Sequence, residues 1–506
     1  MRNTSLYARG YVIGHSSALT EDFVPTQWLR HQISSFWIRH DPRLPTRQVG
    51  PHAVLFGYFY NPWSGEGADA AADRLGSYLP SGRPPDSRDE ALWKLLDEAG
   101  GRFVLVSLEP GHRWAVSDAV SLQPMYYTGS GDQWVASSHS NLLGEIGGLP
   151  INPWVDELVR SRFYSIGVRH LPGLVTPFSG MHRLAANHWL NIDSGCQNRF
   201  FPREPHGHAD DWGALVGECA EALRTSVEVL CADHCVSASL SIGTDSRCTL
   251  AACRGVRDKV GFFSYYADPQ EKRDAIGARK LCRRLRISHE LYPIDVREYA
   301  ENRDVEFERV LSRNTAGVRS PKLSEVAKIK TLAERFPEGR LELKTHVSEV
   351  GRAFYCKKMS TKTPPKYLTP RDMSNLYKKN LFDRKLLRWM DMAFAEFRDF
   401  TCFGQDFFDY EEHDMFYWEH RMPQWAALAN QDHDIVHGMV SIFNNRRLLA
   451  NFLKPSREER IGDELHKDVI RALWPEALAL PLDSGSRLKT CIRKTAERVF
   501  FLANRF

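Results

Sequence analysis

The chain has 506 residues, of which 42% are hydrophobic, 26% charged and 11% aromatic. This length predicts more than one packed core, and the composition excludes a largely disordered chain. No apolar run approaches the roughly 20 residues that a membrane crossing needs, so no membrane partner is expected. With 67 Lys and Arg against 63 Asp and Glu, the formal net charge is only +4. Such a small charge predicts no nucleic-acid partner.

The ten cysteines are too sparse for a disulfide framework in a chain of this length. The first residues also lack the basic start and the apolar stretch of a secretory signal. Both observations favour a soluble protein in the reducing cytoplasm.

The first part of the chain contains short apolar runs separated by Gly, Pro, Asp and Ser, which is typical of a β-rich domain. The predicted elements are strands at residues 54–60, 103–108 and 114–116 and a helix at 91–99. A polar segment rich in Pro, Gly and His follows at residues 203–211 and predicts a linker. We therefore predict one domain over residues 1–205 and a second over residues 206–506.

Beyond this linker the pattern changes to alternating helices and strands. The predicted elements are a helix at residues 212–230, a strand at 236–240, a helix from Arg247, a strand at 260–266 and a helix containing Ala278 and Leu281. This order predicts a parallel sheet that binds its ligand at the carboxyl ends of the strands. From Lys322 onward the pattern is mostly helical, with a basic, Pro-containing stretch at 357–380 that predicts a loop.

The segment Leu240-Ser241-Ile242-Gly243-Thr244-Asp245-Ser246 lies where a predicted strand ends and a helix begins. Its Gly and hydroxyl residues offer backbone N–H groups and the positive end of a helix dipole, which suits a phosphate. Asp245 would repel a bare phosphate, so the segment predicts a divalent cation between carboxylate and phosphates. An ordinary helix start capped by Asp or Ser is the alternative.

This segment resembles the S-G-G-x-D-S loop of the ATP pyrophosphatase (PP-loop) families, and from about residue 50 onward the chain is similar to asparagine synthetase-type proteins. In the first domain the resemblance rests on short fragments in the family's order, at residues 99–106, 117–118, 123–124, 126–127, 136–138 and 176–184. It implies an α/β fold with an N-terminal Ntn-hydrolase-like β-sandwich, then a parallel-sheet PP-loop domain of the HUP, Rossmann-like type with a helical C-terminal part. It also implies ATP and Mg²⁺ as cofactors, with the nucleotide bound by Leu240, Ser241, Gly243, Thr244, Asp245 and Ser246.

The family's second acidic loop corresponds to residues 345–355. Alignment on the final aromatic places Glu349 on the family's magnesium-binding carboxylate, so the resemblance implies Asp245 and Glu349 as metal ligands. It places Tyr355 on a tyrosine that, in lactam-forming members, acts with a glutamate to deprotonate the nucleophile; Glu419 is our candidate for that glutamate. Lys489 resembles a late lysine that stabilises the tetrahedral intermediate. Structural roles for Tyr355 and Glu419, and a solvated position for Lys489, are the alternatives.

The chain departs from the glutamine-hydrolysing members at two places. Position 2 is Arg and the first cysteine is Cys196, so the N-terminal cysteine nucleophile is missing. We expect the nitrogen to come from an amine, as in the β-lactam synthetases and lasso-peptide cyclases. Ile242 stands where the family has Gly, and its side chain either crowds the pyrophosphate or points into the core.

The leading hypothesis is an ATP-dependent ligase that adenylates a carboxylate, releases pyrophosphate and forms an amide, such as a lactam or a natural-product amide, without glutamine hydrolysis. The expected partner is a small molecule or peptide that carries a carboxylate and an amine, and a homodimer is a further expectation. Two alternatives stay open: amidation by free ammonia to a primary amide, and a non-catalytic scaffold that binds a nucleotide or peptide.

Overall fold

The computed structural model describes residues 6–15, 23–161, 164, 169–318, 322–359, 365–377 and 383–481. Within them the chain is a mixed α/β protein with two antiparallel sheets in its first part and one parallel sheet in its second. The predicted change from a β-rich part to a parallel sheet with helices is therefore confirmed.

Among the described residues, twelve strands build the two sheets of the first part. They are β1 (Tyr11–His15), β2 (Leu29–Ile33), β3 (Phe36–His40), β4 (Thr46–Val49), β5 (Ala53–Tyr60), β6 (Gly100–Ser107), β7 (Trp114–Ser117), β8 (Tyr126–Thr128), β9 (Val135–Ser137), β10 (His182–Arg183), β11 (His188–Asn191) and β12 (Gln197–Arg199). One sheet has the order β10-β8-β9-β1-β3-β2 and the other β12-β11-β7-β6-β5-β4. The accompanying helices are α1 (Ala68–Gly76), α2 (Glu90–Glu98), α3 (Ser140–Ile146) and α4 (Pro153–Arg160). The strands and the helix predicted from sequence correspond to β5, β6, β7 and α2.

Two glycines allow β5 and β6 to pair closely. Gly57 lies opposite Phe103 in the ladder and has a φ of +100°. A Cβ atom on Gly57 would lie 2.1 Å from the carbonyl oxygen of Arg102, so the approach requires glycine. Gly101 has a φ of +126°, and its carbonyl oxygen accepts a hydrogen bond of 2.5 Å from Asn444 in the second part of the chain. This strand pair therefore also anchors the second part.

In the portion of the second part that the structure describes, five parallel strands form one sheet. They are β13 (Cys235–Ser239), β14 (Gly261–Tyr266), β15 (Glu290–Pro293), β16 (Arg340–Leu343) and β17 (Gly438–Val440), in the order β15-β14-β13-β16-β17. The chain moves outward from β13 to β15 and then returns to place β16 against the other side of β13. The carboxyl ends of β13 and β16 therefore meet at a topological switch point, where open parallel sheets bind ligands.

The described residues of the second part also form helices. They are α5 (Trp212–Asp233), α6 (Thr244–Ala252), α7 (Pro269–Arg284), α8 (Val296–Glu301), α9 (Val305–Asn314), α10 (Leu323–Arg335), α11 (Phe354–Met359), α12 (Pro370–Tyr377), α13 (Arg384–Phe400), α14 (Glu412–Phe416), α15 (Ala427–His433), α16 (Arg446–Leu453), α17 (Arg457–Gly462) and α18 (Glu464–Leu473). A 3₁₀ segment spans His346–Arg352 and a π-helical segment spans Tyr417–Ala426.

Most elements predicted in the second part are confirmed, with two corrections. The helix predicted from Arg247 begins at Thr244, because the backbone turns helical directly after the extended residue Gly243. The stretch 357–380, predicted as a loop, contains the helix α12. Pro370 stands at its start, and the Asp372 carboxylate accepts from the Thr369 N–H at 3.0 Å, a local capping arrangement that favours a helix.

A buried interface joins the two parts. Both guanidinium nitrogens of Arg102 lie 2.7 Å from the carboxylate oxygens of Asp434, and neither side chain is exposed by more than 3%. One hydrophobic core also contains residues of both parts. The predicted boundary at residue 205 falls between β12 and α5.

None of the helices formed by the described residues combines the length and the apolar character needed to pass through a bilayer. The nine cysteines within the described ranges are all unpaired.

Candidate functional site

The predicted nucleotide loop lies at the switch point of the parallel sheet, between β13 and α6. A cavity of about 420 Å³ opens beside it. The loop and the ends of three strands contribute Ser239, Leu240, Ser241, Ser246, Tyr265 and Lys344 to its lining. A larger cavity of about 800 Å³ adjoins the start of β16, and none of the predicted site residues lines it. We therefore place the candidate site in the smaller cavity, on the position of the loop.

A hydrogen bond between two serine hydroxyls joins the start of the loop to its end. The Oγ atoms of Ser241 and Ser246 are 2.9 Å apart, and the Gly243 N–H donates to Ser241 Oγ at 3.2 Å. Gly243 stands at the N-cap of α6, so no capping side chain occupies the first N–H groups of that helix. Thr244 begins the helix and is buried. This geometry leaves the positive end of the helix dipole available to an anion.

The side chain of Ile242 points away from the loop and toward α7. A Cβ atom placed on Gly277 would lie 2.6 Å from Ile242 Cδ1 and 3.4 Å from its Cβ. The absent side chain of Gly277 therefore provides the space that Ile242 fills. Ile242 is half-buried in this position. That it leaves room for a pyrophosphate at the loop stays a prediction.

Asp245 belongs to a cluster of charged groups that we call the Arg352 network. The Ser348 hydroxyl donates to one oxygen of Asp245, and the Arg352 guanidinium donates to the other. Arg352 also binds Asp463 through two nitrogens, at 2.9 and 2.8 Å. Lys357 is a further donor to Asp463. The side chains of Asp245 and Arg352 are each 19% exposed, so this network is largely shielded from water.

Glu349 lies beside this network, where the Tyr417 hydroxyl donates to its Oε2. Burial raises the pKa of both Asp245 and Glu349, and the charge of Asp245 raises that of Glu349 further. The arrangement does not fit a magnesium ion bound directly to Asp245. Both Asp245 oxygens already accept from protein donors, and an ion there would have to displace Arg352 or lie against its positive charge.

A second ion-pair group, which we call the Lys344 network, lies at the cavity wall. Lys344 Nζ is 2.5 Å from Glu342 Oε1 and donates to Ser239 Oγ at 3.2 Å. The other carboxylate oxygen of Glu342 lies 2.5 Å from His437 Nε2. Burial alone would raise the pKa of Glu342, but Lys344 and His437 outweigh burial and hold it well below its usual range. The pair is therefore ionised, with its ammonium on the cavity wall.

Glu342, His433 and His437 also have the composition of a metal site. Their ligand-type atoms lie within 4.8 Å of one another, and all three side chains are buried. The Lys344 ammonium, however, already supplies the counter-charge of Glu342. A divalent ion would add a second cation to a buried group that is neutral overall, which is costly. We therefore describe these residues as an ion-pair network.

Tyr355 lies deeper, in a group of aromatic rings next to Glu349. Its ring stacks on Phe416 with centres 5.3 Å apart and meets the ring of Tyr417 at 5.8 Å. Burial raises the pKa of Tyr355 to about 12, against the opposing effect of Arg421. The Tyr355 hydroxyl therefore keeps its proton at neutral pH. Its predicted role in deprotonating the nucleophile stays a prediction.

Glu419 binds the first part of the chain. Its two carboxylate oxygens accept from Arg199 at 2.6 and 2.9 Å, and Oε1 also accepts from Asn187 at 3.0 Å. Among its described hydrogen bonds none involves Tyr355, the partner that the sequence predicts. These contacts favour a structural role for Glu419 at the interface between the two parts.

Arg247 ties the loop to the C-terminal end of the described chain. Its guanidinium donates to the carbonyl of Ile242 at 3.0 Å and to those of Leu480 and Pro481 at 2.5 Å each. The predicted catalytic residue Lys489 lies outside the described residues.

Sequence reasoning missed Arg352, Lys344 and Arg421. The sequence predicted no strand where β16 lies, so Lys344 at its end carried no signal. The partners of Arg352 are more than 100 positions away in the sequence. In comparisons with known proteins, no protein-family model matches this chain, and no curated protein matches it either.

Proposed function

We propose that this chain is an ATP-dependent ligase that activates a carboxylate as an acyl-adenylate and joins it to an amine. The observation that carries the proposal is the Ser241–Ser246 loop, which enters α6 at the carboxyl edge of a parallel sheet beside a cavity. The helix N-terminus and the nearby Lys344 ammonium suit the phosphates of a nucleotide. In this proposal the first part is an Ntn-hydrolase-like domain and the second a PP-loop domain of the HUP type.

The proposed reaction has two steps. A carboxylate oxygen attacks the α-phosphorus of ATP, and pyrophosphate leaves as the acyl–phosphate bond forms. The amine then attacks the acyl carbon, AMP leaves, and the amine proton passes to a base. The contribution of the loop is to hold and orient the phosphates, which lowers the entropic cost of the first step.

The nitrogen in this proposal comes from an amine on the substrate or on a second molecule. The sequence has no cysteine before Cys196, and we assign no glutamine hydrolysis to the first part. A small molecule or a peptide that carries a carboxylate and an amine is therefore the proposed substrate, and the unpaired cysteines suit a reducing cytoplasmic setting.

Exchange of labelled pyrophosphate into ATP tests the proposal. The purified chain is incubated with ATP and a panel of amino acids and peptides, and AMP release is measured in parallel. We expect exchange with at least one carboxylate, and its loss in the double variant S241A/S246A. The exposed serine variant S130A is the matched control and should retain exchange. If no acid supports exchange or AMP release, the ligase proposal is wrong.

A non-catalytic nucleotide-binding scaffold is the second candidate, and one observation favours it. The carboxylate of Asp245, which the sequence predicts to hold a cation, is bound by Arg352. A scaffold should show a rise in melting temperature with ATP because a ligand stabilises the state that binds it. It should form no AMP with any acid and amine, whereas AMP formation would exclude this candidate.

A further inference from the structure

Two lysines flank one tyrosine on the wall of the candidate cavity. Lys328 Nζ lies 4.8 Å from the centre of the Tyr265 ring, and Lys344 Nζ lies 5.4 Å from it. Lys344 follows β16, Tyr265 lies near the end of β14, and Lys328 comes from α10. Three separate elements thus converge on one side of the cavity, which also contains Ser241 of the loop.

Positive charge prevails at the Tyr265 hydroxyl on this side of the cavity. The two ammonium groups, Lys344 more than Lys328, lower the pKa of Tyr265 although its burial acts in the opposite direction. Nearby cations stabilise the tyrosinate anion, and a hydrogen bond from Lys344 contributes as well. The two lysines therefore outweigh the charge of Glu342, which is paired with Lys344.

Carboxylates line the same cavity. Glu271, on α7, accepts from the Ala267 N–H at 2.7 Å, and Asp274 lies one turn further along that helix. Glu325 lies one turn before Lys328 on α10 and is 3.3 Å from Arg169. Carboxylates accept hydrogen bonds from sugar hydroxyls, so the two on α7 suit the ribose of a nucleotide whose phosphates lie against the lysines.

We propose that Lys328 and Lys344 bind the nucleotide phosphates directly, so that this chain binds ATP without a divalent cation on Asp245. The proposal rests on the proposed ATP-dependent function and specifies how the nucleotide is held. A second observation supports the proposal: Arg352 already provides the positive charge beside Asp245. The lysines then supply to the phosphates what a metal ion supplies in other sites.

Calorimetric titration of the full chain with ATP tests the proposal, once with EDTA and once with magnesium chloride. We expect similar dissociation constants in the two buffers. Binding that occurs only with magnesium would overturn this inference but leave the ATP-dependent function intact. Absence of binding in both buffers would remove the proposed function, and the inference with it.

Electron paramagnetic resonance of added Mn²⁺ measures metal binding independently of the calorimetry. Without nucleotide we expect no bound Mn²⁺, because Arg352 occupies Asp245. A bound equivalent of Mn²⁺ that disappears in the variant D245N would overturn the proposal.

Variants of the two lysines identify the binding group. K328Q should weaken ATP binding by about ten- to a hundredfold, the range expected for the loss of a hydrogen bond to a charged group. K330Q is the matched control, since Lys330 lies two positions further along α10, pairs with Asp304 and lines the larger cavity. The double variant K344M/E342Q removes the second ammonium without leaving a buried carboxylate unpaired. Unchanged ATP affinity in both K328Q and K344M/E342Q would overturn the proposal.

Discussion

The two ion-pair networks beside the loop compensate the charge of buried carboxylates in different ways. In the Lys344 network one ammonium serves one fully buried carboxylate, Glu342, and holds its pKa well below the usual range. In the Arg352 network one guanidinium is shared by Asp245 and Asp463, and Glu349 receives a tyrosine hydroxyl. Burial prevails for Asp245 and Glu349, whose pKa values are raised, whereas Arg352 and Lys357 lower the pKa of Asp463 to about 2.

The ionisation state of the Lys344 network is therefore fixed, whereas that of the Arg352 network can change. Glu342 and Lys344 are mutually compensated, so neither gains from a proton or a further cation. The Arg352 network has carboxylates that burial disfavours as anions, and its charge depends on Arg352 staying in place. The Lys344 network therefore holds a fixed ammonium on the cavity wall within a pair that is neutral overall, whereas the charge of the Arg352 network responds to its surroundings.

The largest expected effect comes from breaking the Lys344 pair. K344M leaves Glu342 as an uncompensated buried charge, and we expect it to lower the free energy of unfolding by about 3–5 kcal/mol. The double variant K344M/E342Q should recover most of this loss because no lone charge is then buried. Urea denaturation monitored by circular dichroism measures both.

Lys330 provides the control for that pair. It binds Asp304 at 2.7 Å, but its side chain and that of Asp304 are 25% and 35% exposed. K330M should therefore cost about 1 kcal/mol or less. Equal losses for K344M and K330M would show that the burial of Glu342 does not matter to stability.

A smaller effect is expected from R352M, and it should depend on magnesium. Loss of the guanidinium leaves Asp245 without its cation, and we expect a cost of about 1.5–3 kcal/mol in EDTA. Magnesium should then bind the freed carboxylates and recover part of this stability, because a ligand that binds only the folded state raises it. Melting temperatures with EDTA and with magnesium chloride measure the difference.

The same two buffers provide the control for R352M. Wild type and K344M should show no magnesium response, since in both proteins Arg352 still occupies Asp245. A magnesium response of wild type as large as that of R352M would contradict the assignment of the cation role to Arg352.

The sequence predicted several of the elements and the place of the loop, but it did not predict the partners of the charged groups. Periodic apolar positions placed β5, β6, β13 and α7, because such patterns depend on near neighbours. The partner of Glu419 is Arg199, 220 positions away, and such a pairing has no local signature. The early start of α6 was missed for a related reason, since its boundary depends on the backbone at Gly243 and not on apolar period.

The smallest expected effect tests whether the Ile242 side chain packs against Gly277 on α7. G277A introduces a methyl group at the position that Ile242 fills, and the closest atom is the mobile Cδ1 at 2.6 Å. We expect a loss of about 1 kcal/mol, at the low end of the cost of overpacking, because that terminal methyl can move. The double variant I242V/G277A lacks the Cδ1 atom and should be more stable than the sum of the single variants predicts. Strict additivity of the two changes would place Ile242 away from Gly277. Its side chain would then be free to lie over the loop, against the packing on α7 that the structure shows.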